Sequence, residues 1–397
     1  MIGRYPDYDV FAAEATSDAQ TAAVVKGRLS PIACRNSGSS WHEIAAEHCP
    51  CRARGGWMTD NQRPEVVVVT GASGGVGRAI AHAFAKRGAH VALLARGERG
   101  LQDAAAEVQE LGGRALVVPT DVADHEAVEA AAERVERELG PIDIWINDAM
   151  STVFAQFTDV SPQEFKRATE VTYLGTVYGT MAALKRMTAR DRGKIVQVGS
   201  ALSYRAIPLQ SAYCGAKFGI RGVTDSIRTE LRHDKSKVQI TMVQLPGVNT
   251  TQFNWCRSKL PDHPMPVPPI YQPEIPAEAV YWAAHHHRRE LWVGYSAVQA
   301  IVGTMLAPSF ADWYLARTGF KGQQMQGHPV APGRPDNLFV PVPDKAATHG
   351  IFDDQAKTRS PALWTATHRR MLGGAALAAL AVGAAAGAGA AAIARGR

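Results

Sequence analysis

The sequence predicts an α/β protein, a doubly wound, parallel, seven-stranded sheet with helices on both faces, flanked by an irregular leader and a C-terminal extension. Three observations predict it. From Arg63 onward short apolar runs alternate with helical patterns, the mark of a parallel sheet. The first run, Val66 to Val69, is four consecutive valines and reads as a strand buried on both faces. A glycine-rich turn follows it at once in VVVVTGASGGVG, Val66 to Gly77, and opens a helix over Val76 to Arg87. Gly71, Gly75 and Gly77 let the backbone turn tightly and approach an anion, to which the helix offers unpaired N–H groups and its positive dipole end.

Composition bounds the rest. A chain of 397 residues that is 46% hydrophobic has material for a full core in one α/β domain with flanking segments. Its charge of +6 is spread among interspersed acids and bases, with no basic block to track a phosphate backbone, so nucleic acid is not an expected partner. The five cysteines show no regular framework, which suits a reducing compartment and a cytoplasmic catalytic domain. Residues 1 to 60 show no sustained period and no secretory signal; they read as a disordered leader or an upstream extension of the reading frame, since Met58 leads naturally into the first strand. Cys34, Cys49 and Cys51 lie near His42 and His48, but the Cys-Pro-Cys spacing is not that of a zinc knuckle, and no metal is expected.

The domain spans 61 to 296. His90 to Ala95 is the second strand, Ala115 to Thr120 the third and Ile142 to Asn147 the fourth. Ser161-Pro162 with Glu164 caps a long helix running to about Met187. The fifth strand ends at Ser200. Tyr213 and Lys217 stand four apart, on one face of the next helix. Gln239 to Leu245 is the sixth strand. Residues 252 to 276 hold seven prolines, all after Phe253, and read as an irregular lid. Trp255, Met265, Val267 and Tyr271 either line a site for a hydrophobic substrate or anchor the lid to the core. Ala277 to Ala284 is a short helix and Glu290 to Gly294 the seventh strand. Between them, His285, His286 and His287 point in different directions and make no metal site.

Residues 297 to 365 form the extension. Its apolar start, Ala297 to Leu306, is too short to span a bilayer and is expected to pack on the lid or on a partner subunit. Residues 321 to 365 are polar and proline-containing and read as a linker or a loosely packed segment. In the tail, 366 to 397, Met371 to Ile393 carries no charge over 23 residues, of which twelve are alanine and five glycine. As a helix it would be about 34 Å long, enough for a membrane anchor. The alternative is a flexible alanine/glycine tail.

Ser200 stands thirteen residues before Tyr213 in VGSALSYRAIPLQSAYCGAKFGI. With the TGxxxGxG turn, these residues resemble the short-chain dehydrogenase/reductase family over roughly residues 63 to 296. The resemblance implies a Rossmann-type sheet, a nicotinamide cofactor, interconversion of a carbonyl and an alcohol, and a homodimer or homotetramer. It assigns catalysis to Ser200, Tyr213 and Lys217. Tyr213 would be the acid/base, its phenol brought toward neutral pH by the Lys217 cation, which also holds the nicotinamide ribose. Ser200 would hydrogen-bond the carbonyl oxygen.

The cofactor would be held by Thr70, Gly71, Ser73, Gly75, Val76 and Gly77 at the turn, by Asp121 and Val122 near the adenine, by Asn147, Tyr213 and Lys217, and by Pro246, Gly247 and Thr250 at the nicotinamide amide. Where an NAD-specific relative carries an acid, this chain has Ala95-Arg96. A guanidinium there grips a 2′-phosphate, which implies NADP(H) before NAD(H).

Three residues depart from the family pattern. Asp148 and Met150 alter the floor beneath the nicotinamide, and Thr172 stands where an asparagine usually holds a proton-relay water through a locally bent helix. They keep a second reading in view, an NADP(H)-binding regulatory or scaffold protein with little turnover.

Overall fold

The computed structural model describes residues 63–343, 346–369 and 371–374, all within the compact unit Met58–Arg397. The leader, with Cys34, Cys49, Cys51, His42 and His48, lies outside the described residues. So does the expected anchor beyond residue 374. Among the described residues no helix is long and apolar enough to cross a membrane.

Seven parallel strands form the central sheet: β1 (Val66–Thr70), β2 (His90–Ala95), β3 (Arg114–Pro119), β4 (Ile144–Asn147), β5 (Lys194–Ser200), β6 (Gln239–Leu245) and β7 (Glu290–Trp292). Their order is β7-β6-β5-β4-β1-β2-β3. The order reverses beside β1, so the crevice over the carboxyl ends of β1 and β4 is where such a sheet accepts a ligand.

The helices α1 (Gly75–Ala85), α2 (Glu98–Glu110), α3 (His125–Leu139), α4 (Pro162–Thr169), α5 (Gly175–Ala189) and α6 (Ser211–His233) connect these strands. A single turn α7 (Gln252–Trp255) and α8 (Glu274–His285) follow, and α8 begins earlier than its sequence pattern implies because Pro276 sits in its first turn, where no N–H is missed. The alternation of strand side chains divides the core. Val67 and Val69 join Ile80, Phe84 and Val280 on the face covered by α1, α2 and α8. Val66 and Val68 join Val128, Ala183 and Met187 on the face of α3 and α5.

The expected long helix is interrupted. Ser161 and Glu164 form the capping box that starts α4, and a π-turn at Glu170–Leu174 then offsets α5 from α4. Thr172 is its fully buried centre. Its Oγ1 donates to Ser151 O at 2.8 Å and accepts the Ser151 N–H at 2.9 Å. The bend expected of an asparagine is thus present with a threonine.

The expectation of a loose extension is corrected. Gln324–Pro329 pairs antiparallel with the lid residues Asp262–Pro264. Leu338 is wholly buried and Phe352 nearly so. The apolar runs that carry them, Leu338 to Val340 and Ile351-Phe352, are too short to show a period. The helices α9 (Tyr295–Leu306) and α10 (Pro308–Thr318) form a pair, and α11 (Pro361–Thr367) follows. Ala297 and Ile301 are buried while Tyr295, Met305 and Leu306 are exposed, so α9 covers the domain with one stripe.

Candidate active site

Gly71, at φ +75°, turns the chain out of β1, and a Cβ there would stand 2.9 Å from the Ala149 Cα. At Gly77 a Cβ would stand 2.4 Å from Gly71 O. Only glycine lets α1 start this close to the end of β4. The turn opens onto a cavity of about 610 Å³ that runs from Arg96, Asp121 and Val122 to Ser200, Tyr213 and Lys217.

At the first end, Gly71, Ser73, Gly75 and Val76 line the wall. Thr70, Gly77 and Asn147 stand behind that wall. The Thr70 hydroxyl accepts the Asp148 and Ala149 N–H groups at 3.0 and 3.1 Å and so ties β1 to the end of β4. Asn147 accepts the Trp145 Nε1–H and donates to Thr180 and Gln197, which joins β4 to β5 and α5. These residues brace the wall from behind.

At the other end, β5 delivers Ser200 and the first two turns of α6 deliver Tyr213 and Lys217. Lys217 Nζ donates to Val198 O at 2.6 Å and lies 5.4 Å from the centre of the Tyr213 ring. Burial lowers the affinity of Lys217 for its proton, and the Asp148 charge opposes this. Burial likewise raises the pKa of the Asp148 carboxyl, against the charge of Lys217 and the Gly77 N–H. Burial pushes the Tyr213 phenol well above its ordinary value, and the hydrogen bond with Ser200 opposes this. One N–H of the Lys217 ammonium goes to the Val198 carbonyl, which leaves two donors for other partners.

Pro246, Gly247 and Thr250 line the cavity beside Thr251. Of the lid residues, Trp255 and Val267 face the cavity, whereas Tyr271 is buried on Gly294 and anchors the lid. Met150, Phe154, Ile207 and Leu315 add apolar lining.

Sequence reasoning did not find the extension at this site. Asn337, Pro341, Val342, Pro343 and Ala346 line the same cavity. The Gly75 N–H donates to Ala347 O at 2.9 Å, and Arg78 donates to Ala346 O at 3.0 Å. Arg96 donates to the carbonyls of Asn337, Leu338 and Phe339, the last two at 3.3 and 3.0 Å. Asp121 is paired with Arg167 at 2.5 Å. The glycine cradle at one end of the cavity and the Arg96 guanidinium beside it suit a dinucleotide. Among the described residues, no group of three or more His, Cys, Asp or Glu is placed to hold a metal ion.

Comparison with known proteins gives the same picture. The short chain dehydrogenase family profile matches residues 65–260. An uncharacterized oxidoreductase, YxnA, of Bacillus subtilis (strain 168) is 32% identical over 327 residues, 82% of this chain and 91% of that protein. A 3-dehydrosphinganine reductase of Danio rerio is 33% identical over 192 residues, 47% of this chain and 57% of that protein. Among solved structures, an alcohol dehydrogenase from the archaeon Thermococcus sibiricus complexed with 5-hydroxy-NADP superposes with a TM-score of 0.51 at 27% identity, covering 58% of this chain and 96% of that one. A short-chain dehydrogenase from Streptomyces avermitilis shares the fold, with a TM-score of 0.54 at 23% identity over 65% of this chain and 98% of that one.

Proposed function

Given that this chain belongs to the short-chain dehydrogenase family and is a nicotinamide-dependent oxidoreductase, we propose that it uses NADP(H) to interconvert a hydrophobic ketone or aldehyde and the corresponding alcohol. The observation that carries the reading is the meeting of Ser200, Tyr213 and Lys217 at one end of a cavity whose other end holds Arg96. When bound, the nicotinamide gives or takes the hydride.

The chain's residues supply the rest. In the reductive direction the Tyr213 phenol donates its proton to the substrate oxygen, and in the oxidative direction it accepts that proton. Ser200 donates its hydroxyl hydrogen to the same oxygen and stabilises the charge that develops there. The phenol starts with a high pKa, so ionisation is favoured only when a cation comes near it. Lys217 is that cation, close behind the ring, and Asp148 helps to keep it protonated. Arg96 receives the 2′-phosphate.

The apolar lining, from Met150 and Phe154 to Leu315, supports a hydrophobic substrate. The π-turn at Thr172 weighs against the binding-only alternative, because the bend survives the substitution. Met181 on α5 and Phe218 on α6 are exposed, which supports a homo-oligomer through these helices.

Tyr213→Phe tests the assignment. Turnover of a panel of aromatic and long-chain aldehydes and ketones should fall by about a thousandfold, while the rise in melting temperature with NADPH persists. A variant that turns over like the wild type would remove Tyr213 from the chemistry.

A further inference from the structure

Arg96 on the loop after β2 and Arg167 on α4 approach the same atom. Arg96 Nη1 donates to Leu338 O at 3.3 Å, and Arg167 Nε donates to it at 3.2 Å. Arg96 also donates to the carbonyls on either side, Asn337 O and Phe339 O. Two guanidinium groups and three consecutive backbone oxygens therefore share one small space. Asp121 pairs with Arg167 at 2.5 Å, but the hydrogen-bond partners of Arg96 are neutral carbonyls, whereas a phosphate would bring the guanidinium the negative charge and fork geometry it matches best.

The segment that presents these oxygens, an irregular strap, is held at several points. Asp336 accepts the Leu338 N–H at 3.0 Å and pairs with Arg257 at 2.9 Å. The Asn337 N–H donates to Trp255 O at 2.8 Å. Leu338 is buried among Val153, Ala155, Ala168 and Ala212.

We propose that Arg96 and Arg167 form a two-guanidinium clamp for the 2′-phosphate of NADP(H), and that the carbonyls of Asn337, Leu338 and Phe339 are a built-in occupant of this clamp which the phosphate displaces. The proposal rests on the NADP(H) reading of the site. It makes Arg167 a second selectivity residue, supplied from α4 where the glycine turn carries no basic side chain. Burial, and after it the Arg167 charge, lowers the hold of Arg96 on its proton, and the Asp121 charge opposes this. NADPH meets the strap as a competitor. NADH, which has no 2′-phosphate, does not.

The test is hydrogen exchange of the full chain alone, with saturating NADPH and with saturating NADH. The amides of 337 to 340 should exchange faster with NADPH and at the ligand-free rate with NADH. Slower or unchanged exchange with NADPH would overturn the displacement. Binding measurements give an independent arm. Arg167→Gln should weaken NADPH binding by about tenfold more than NADH binding, as loss of a charge-assisted bond does; equal losses for the two cofactors would overturn the clamp. Leu338→Ala loosens the strap and should tighten NADPH about fivefold with NADH unchanged, since the competent fraction rises; weaker NADPH binding would make the strap a wall of the site and overturn competition. Arg96→Ser separates the two readings. If it leaves NADPH affinity unchanged, the NADP(H) assignment itself fails; if it abolishes the preference for NADPH while Arg167→Gln does nothing, only the clamp fails.

Discussion

Glu164 ties three parts of the chain, and its replacement by glutamine measures how strongly. Its carboxylate accepts the Ser161 N–H at 2.8 Å, Lys259 Nζ at 2.7 Å and Arg257 at 3.1 Å. Burial alone would raise its pKa, but Lys259 and the Ser161 backbone and hydroxyl outweigh it and bring the group from 4.5 down to about 2. The fall from 4.5 to about 2, at about 1.4 kcal/mol for each tenfold change in proton affinity, gives roughly 3.5 kcal/mol. The side chains of Lys259 and Arg257 are 35% and 33% exposed, so solvent screening reduces this. We expect Glu164→Gln, which keeps an acceptor for the Ser161 N–H, to cost about 2 kcal/mol near neutral pH. The folded pKa is depressed, so this stability is fully present above about pH 4.5 and is lost as pH falls toward about 2. Urea unfolding followed by tryptophan fluorescence checks it, and by about pH 3 the gap between wild type and variant should shrink to under half its neutral value. A gap that is the same at both pH values, or below about 0.5 kcal/mol near neutrality, would refute the reasoning.

Three further outcomes follow from the geometry. Thr172→Val removes a hydroxyl that both donates to and accepts from Ser151, and should destabilise the fold by about 1–3 kcal/mol in the same urea assay. Gly77→Ala places a methyl group 2.4 Å from Gly71 O and 2.9 Å from Asp148 Oδ2, so the turn must shift; the NADPH-induced rise in melting temperature should disappear. The Asp148 charge favours protonated Lys217, so Asp148→Asn should let the lysine lose its proton at lower pH and move the alkaline limb of the kcat/KM profile downward. An unchanged profile would separate the two groups.

What the sequence made legible was local. The strands from β1 to β7, the glycine turn, the capping box at Ser161 and the i,i+4 pair of Tyr213 and Lys217 each lie within a short window whose residue types carry a geometric demand. Arg96 was legible as a cation but not as one engaged by residues 241 to 243 positions away. A backbone carbonyl leaves no mark in a sequence, and Leu338 and Phe352 sit in apolar runs of two or three residues, too short to show a period. Asp148 was visible as a departure; that it faces Lys217 depends on how β4 and α6 pack. Thr172 illustrates a different limit, because the bend it centres is held by a partner, Ser151, on another element.

The uniformity of β1 has its own consequence. In most strands the difference between inward and outward residues fixes the alignment with neighbours, and a one-residue slide is punished because it reverses the faces. Here Val66, Val67, Val68 and Val69 are interchangeable, so a slide would present the same side chain to each layer and burial could not tell right from wrong. The alignment must be read at the ends of the strand. Asp143, itself paired with Arg63 at 2.6 Å, accepts the Val66 N–H at 3.0 Å, and the Thr70 hydroxyl holds the Asp148 and Ala149 amides at the other end. Two polar fastenings index an otherwise featureless rod, and the position of the glycine turn over the crevice is theirs to keep.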